Sequence, residues 1–133
     1  MTVVLDVSGA AQVVFNNKEK HAKFQKVLDG ADMIIAPDLY ISELTNTLWK
    51  YYRARVYDYE KCCQYIQAGI SLIDEFIDSK VLWQEAFKEG TLHDHPIYDM
   101  YYAILARRRD GILITNDGEL AKLCKKLSIN YLH

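Results

Sequence analysis

Apolar and polar positions fall into two alternating kinds of block along this chain. Short β-branched or aliphatic runs predict strands, and longer stretches with apolar residues every three or four positions predict helices. Residues 2–5 (TVVL) form a first strand, and residues 9–29 read as helical with a break near Asn16 and Asn17. Residues 32–37 (DMIIAP) form a second, buried strand that proline stops. Helices follow over residues 39–54 and 57–77, the second tyrosine-rich at its start. Residues 79–83 (SKVLW) hold a short third strand, residues 83–89 a short helix and residues 90–96 (GTLHDHP) a loop. A helix over residues 96–109 leads into a buried strand at 111–115 (GILIT), a helix over 119–127 and an edge strand at 129–133. Strands that alternate with helices imply βαβ units, and continuous apolar strands imply a sheet covered on both faces. The expected fold is α/β, a three-layer α/β/α sandwich around a mostly parallel sheet of about five strands. At 133 residues the chain suits a single domain over residues 1–133.

This topology gathers particular acids. In βαβ units the helix starts and strand ends share the carboxyl edge of the sheet, where open α/β sheets bind ligands. Asp6 follows the first strand, and Glu43 lies in the early turns of the helix after the second. Asp99 lies in the first turns of the 96–109 helix, and Asp117 comes two residues after Thr115. All four map to that one edge, beside the most apolar segments, where surface acids are least expected. Asp99 shares a helix face with Tyr102, Ala103 and Ala106, so small residues pack that face against the sheet. Glu43 shares a polar stripe with Asn46, Thr47 and Lys50. Clustered carboxylates repel one another, and burial disfavours their charge; a divalent cation relieves both. Oxygen ligands without a Cys/His set suit Mg²⁺ or Mn²⁺, and phosphodiester hydrolysis is the reaction class such a site supports best.

Composition changes this picture little. Half the residues are hydrophobic, enough for a sizeable core, and the formal net charge of −2 carries no bulk signal for nucleic acid. Cys62, Cys63 and Cys124 lack C-x-x-C spacing and read as reduced, partly buried thiols of a cytoplasmic protein. The start MTVVLD has no basic region or long apolar core, so it does not read as a signal peptide. No apolar run approaches the roughly 20 residues of a membrane span.

Four stretches together resemble the PIN-domain ribonucleases, and among them the VapC-type toxins of toxin–antitoxin pairs. VVLDVSGAAQVVF resembles the first motif, a strand ending in aspartate with a small polar residue two positions on. APDLYISELTNTLWKYYR resembles the second, a proline before a helix with a glutamate and an amide three positions later. PIYDMYYAILARRRDGILITND resembles the third and fourth, an aspartate opening a helix, then a strand closed by Thr-x-Asp. Carried over by position, the acids are Asp6, Glu43, Asp99 and Asp117, with Ser8, Asn46 and Thr115 as supporting polar residues. One departure is Val7-Ser8, where many relatives have Thr-Asn. The resemblance implies a Mg²⁺- or Mn²⁺-dependent endoribonuclease whose acids hold one or two metals. It also implies an RNA substrate, a homodimer and a small antitoxin partner whose tail reaches the acidic site.

Plainer readings compete at each position. Asp99 suits the positive end of its helix, and Asp6 a strand-end turn. Asp117 stands in Asn-Asp-Gly, a turn signal, and equally suits a helix cap. His93 and His95 form an H-x-H pair that lacks a third ligand of matching type, although His95 is placed to touch substrate. Arg107, Arg108 and Arg109 suit the end of a helix, and Lys122, Lys125 and Lys126 a solvated face. Trp49, Tyr51, Tyr52, Tyr57 and Tyr59 are dense enough that part of this surface reads as an interface for an antitoxin or a second copy. Two other functions stand beside the toxin: an RNA-processing nuclease without antitoxin, and a catalytically silent α/β metal- or protein-binding module. A phosphatase is weaker, because Lys50 lies far along its helix.

Overall fold

The computed structural model describes residues 1–15 and 18–133. Strands β1 (Thr2–Leu5), β2 (Met33–Pro37), β3 (Glu75–Ile77), β4 (Ile112–Ile114) and β5 (Tyr131–Leu132) form one sheet in the order β3-β2-β1-β4-β5. Every pairing is parallel. Helices α1 (Val7–Val14), α2 (Lys18–Asp29), α3 (Leu39–Arg53), α4 (Tyr59–Ser71), α5 (Trp83–His93), α6 (Ile97–Arg108) and α7 (Gly118–Lys126) connect and cover it. The result is the expected α/β/α sandwich.

The core is built on the central strand, where Val3, Val4 and Leu5 have no exposed surface. Helix α6 lies over the middle of the sheet, against β1, β2 and β4, and between α5 and α7. Its residues from Tyr102 to Ala106 are all buried, as expected of a helix that is apolar nearly all round. Two details of β1 set the site. Leu5 is in register with Ile114, so Asp6 and Thr115 leave the sheet side by side. The strand order also reverses between β1 and β4, and ligands bind at such a switch point.

Several boundaries differ from the sequence expectation. The third strand is Glu75–Ile77, not residues 79–83, which hold a 3₁₀ turn at Ser79–Val81 and the start of α5. Ile66, Ile70, Ile73 and Ile77 keep helical spacing, so the pattern alone carries the helix too far. Asp74 overrides it by accepting the Ile34 N–H at 2.7 Å, and Asp78 caps the turn that follows. Residues 90–93 belong to α5 rather than to a loop. Gly90 is there for packing: a Cβ on it would lie 2.2 Å from Ile97 Cδ1 of α6. The helix ends at Asp94, whose φ of 51° is left-handed. At the front of the chain α1 begins at Val7, and the expected break at Asn16 and Asn17 lies outside the described residues. Cys62 and Cys124 are buried, but Cys63 is exposed. No helix among the described residues is long and apolar enough to cross a membrane.

Candidate active site

Asp6 is the first residue past β1 and the N-cap of α1. Its Oδ1 accepts the Gly9 N–H at 2.7 Å and the Ser8 hydroxyl at 2.8 Å. Its Oδ2 accepts the Thr115 hydroxyl. Each hydroxyl in turn accepts a backbone N–H beyond β4, Ser8 from Asn116 at 2.8 Å and Thr115 from Asp117 at 3.0 Å. A relay of two hydroxyls therefore joins the ends of β1 and β4 and fixes the carboxylate between them. Gly9 makes this possible, since a Cβ there would come within 2.9 Å of the Ile114 carbonyl oxygen. Thr115, with no exposed surface, supports the site from beneath.

The other acids arrive on separate elements. Glu43 projects from α3, and its Oε1 accepts the Tyr102 hydroxyl at 2.6 Å. Asp99 is the third residue of α6, and its Oδ2 lies 3.1 Å from His95 Nε2. Asp117 is the N-cap of α7 and accepts the N–H groups of Glu119 and Leu120. Asp6, Glu43, Asp99 and Asp117 all line one cavity of about 430 Å³, together with Ser8 and Asn46. The expected stripe on α3 is present, because Thr47 and Lys50 line the same cavity. The capping role weighed for Asp117 is also present, so this acid serves a helix as well as the cavity wall.

The electrostatics follow from this packing. Burial pushes the Asp6 carboxyl from 3.8 up to about 7, its three donors pull back, and the charge of Asp99 adds to the rise. Glu43 is raised by burial, eased by Tyr102 and raised again by Asp99. Asp99 is raised by burial, eased by His95 and raised by Asp117. Asp99 is thus the member whose charge the others share. Burial, then the charges of Asp6 and Asp99, push the Cys124 thiol up to about 12, so it offers no thiolate. The four carboxylates that line the cavity offer oxygen ligands, a set that fits a hard divalent cation in chemistry and charge, with the Lys50 ammonium on the same wall. The geometry is not yet closed on one. Among the described residues, no group of three or more His, Cys, Asp or Glu side chains is arranged to hold a metal ion.

Sequence reasoning missed four contributors to this region. Gln12 and Tyr51 line the cavity, and Tyr102 reaches Glu43 across the gap between α6 and α3. Lys20 of α2 donates to Asn116 Oδ1 at 2.6 Å, at the cavity edge. The signal for Tyr102 was its place three residues after Asp99; nothing local marks Lys20. The H-x-H pair does not act as one: His93 sits 3.5 Å from Glu89, and His95 turns to Asp99.

Sequence comparison matches residues 3–126 to the PIN domain, nearly the whole chain. The chain belongs to the PIN domain family. PIN domains are nucleases, so the class of chemistry is hydrolysis of nucleic acid. No curated protein matches the sequence. Among solved structures, a protein from Pyrobaculum aerophilum is similar at TM-score 0.72 and 21% identity, covering 96% of this chain and 98% of its own. VapBC2 from Rickettsia felis, bound to a DNA fragment from its promoter, is similar at TM-score 0.70 and 16% identity, covering 99% and 98%. VapBC-5 from Mycobacterium tuberculosis, a member of a family of toxin–antitoxin systems, is similar at TM-score 0.60 and 16% identity, covering 99% and 98%. At these identities the three likenesses speak to the fold.

Proposed function

We propose that this PIN domain is a metal-dependent endoribonuclease and the toxin of a toxin–antitoxin pair. The observation that carries the reading is the convergence of Asp6, Glu43, Asp99 and Asp117 on one cavity at the switch point of the sheet. PIN domains generally use divalent metal ions. Here Asp6, Asp99, Asp117 and Glu43 would hold Mg²⁺ or Mn²⁺, which when bound neutralises phosphate charge and makes water a better nucleophile. The chain's own part is orientation. Ser8 and Thr115 hold Asp6, Tyr102 holds Glu43, and His95 holds Asp99. Asn46 adds an uncharged amide on the α3 wall for a phosphate, while the Thr47 hydroxyl donates to the Glu43 carbonyl of its own helix. The toxin assignment takes support from the VapBC likenesses. Its partners are a small antitoxin and a second copy of the chain. Trp83 and Phe87, four residues apart on α5 and both more than half exposed, offer one apolar surface for them.

A second reading, the catalytically silent module, draws on the helix-capping bonds of Asp6 and Asp117. The experiment that separates the two incubates the protein with a broad RNA pool in Mg²⁺ or Mn²⁺ and in EDTA, and maps new ends by sequencing. The nuclease reading expects cuts that need metal and vanish in Asp99→Asn. Metal binding without cuts would favour the silent module. Light scattering of the purified chain tests the second copy, and co-expression with any small protein encoded beside it tests the antitoxin.

A further inference from the structure

Helix α2 turns one stripe inward. Phe24 and Leu28, four residues apart, are buried in the core. Lys20 extends that stripe by one turn, toward the carboxyl edge of the sheet. There its Nζ donates to Asn116 Oδ1 at 2.6 Å, in a bond partly shielded from solvent. Lys23, three residues on, donates to the His133 main-chain oxygen at 2.6 Å, in an exposed bond. Two lysines therefore tie the same helix to neighbouring parts of the chain. They differ in what they hold: Asn116 lines the acid cavity, and His133 does not.

Asn116 is the middle residue of the short connection 115–117 between β4 and α7. Every residue of that connection feeds the site. Thr115 donates its hydroxyl to Asp6 Oδ2. The Asn116 N–H donates to Ser8 Oγ at 2.8 Å, and Ser8 donates in turn to Asp6 Oδ1 at 2.8 Å. The Asp117 N–H donates to Thr115 Oγ1 at 3.0 Å, and Asp117 lines the cavity. A turn of the Asn116 peptide would therefore disturb both oxygens of Asp6 and shift Asp117. The side chain of Asn116 is held from α2, which supplies no lining residue to the cavity among the described residues. The ammonium makes this a charge-assisted bond, roughly twice as strong as a neutral one. The bonds within the connection account for Thr115 and Asp117, but not for a lysine 96 positions away in sequence.

We propose that Lys20 is a positioning residue of the acid site. Through Asn116 it fixes the 115–117 connection, and through that connection the Asp6 and Asp117 carboxylates, in the arrangement that takes a divalent cation. Groups that orient metal ligands carry part of the affinity, so losing one weakens binding without removing a ligand. The role rests on the metal-site reading above and deepens it by adding a helix that lines no part of the cavity.

The test compares Lys20→Met, which keeps an unbranched apolar stem and loses the donor, with Lys20→Arg, which restores a donor. In EDTA, amide hydrogen exchange followed by NMR should show protection lost at Asn116 and Asp117 in Lys20→Met and regained in Lys20→Arg. With Mn²⁺, the paramagnetic resonance of the free ion should show affinity lowered by about tenfold in Lys20→Met. Asn116→Ala should lower it to a similar degree, and the double variant no further, because both changes break one bond. Lys23→Met loosens the same helix and should leave both readouts at wild-type values. Urea unfolding of each variant separates loss of fold from loss of positioning; should Lys20→Met not fold, Lys20→Arg and Asn116→Ala carry the comparison. Wild-type protection and wild-type Mn²⁺ affinity in Lys20→Met would overturn the proposal. Equal losses in Lys20→Met and Lys23→Met would overturn it too, and make Lys20 a plain tether of α2. Weakened Mn²⁺ binding with protection at 116 and 117 unchanged would likewise overturn it, in favour of a direct effect of charge. No Mn²⁺ binding by the wild type would remove the metal-site reading and this role with it, whereas failure of the variants alone leaves that reading standing.

Discussion

Replacing Asp6 with asparagine should flatten the pH dependence of stability in the metal-free protein. The Asp6 carboxyl titrates near 7 in the folded chain, chiefly because it is buried, and near 3.8 when exposed. Between those values the folded state holds a proton that the unfolded state has released. Stability is therefore greatest below about pH 4 and falls by about 1.4 kcal/mol per pH unit as pH rises toward 7. Between about pH 5 and about pH 8 the carboxyl contributes a loss of about 2–3 kcal/mol. Glu43 and Asp99, also raised, add losses of the same sign. Asparagine removes the Asp6 share alone. It keeps an oxygen for the Gly9 N–H as a good N-cap, and the Thr115 hydroxyl can accept from its amide. The assay is urea unfolding in EDTA at the two pH values, followed by far-UV circular dichroism. Trp49 and Trp83 are half exposed and report poorly on the core. Other titrating groups are common to both proteins and cancel in the difference. Equal pH slopes for wild type and Asp6→Asn would refute the raised carboxyl. Mn²⁺ at about pH 8 supplies the complement. At 100 times its Kd it should stabilise the wild type by about 2.7 kcal/mol and the variant by much less.

Three further outcomes follow from the same contacts. Gly9→Ala places a methyl group 2.9 Å from the Ile114 carbonyl oxygen, and urea unfolding should show a loss of about 1–3 kcal/mol. Tyr102→Phe removes the donor to Glu43 and should lower Mn²⁺ affinity, read by the paramagnetic resonance of free Mn²⁺, with the circular dichroism spectrum unchanged. Arg107→Ala breaks part-exposed pairs to Glu85 and Glu89, so unfolding should shift by about 1 kcal/mol or less, and less still at high salt.

The elements that fix the site were legible where a local signal coincided with a buried strand. TVVL and GILIT identify β1 and β4, and parallel topology alone then brings Asp6 and Asp117 to one edge. Glu43 and Asp99 followed because both open helices on that edge. The family assignment stood on the same four motifs. The third strand was hidden, since three residues between acids carry too little pattern to compete with isoleucines at helical spacing. Gly90 misled because a glycine needed for helix packing looks like one needed for a turn. Tyr102 on Glu43 and Lys20 on Asn116 were illegible for another reason. Each joins residues far apart in sequence, 59 and 96 positions, through packing that no local pattern encodes. The pairing of α6 arginines with α5 glutamates is of the same kind.

The central claim is that these carboxylates are a metal site. The most direct measurement is anomalous diffraction from a crystal grown with Mn²⁺. The account predicts a peak in the cavity about 2.1 Å from carboxylate oxygens of Asp6 and Asp99, with the side chains released from some of their present donors. A protein that cleaves RNA in Mn²⁺ while its crystals show no peak there, or show one elsewhere, would contradict it.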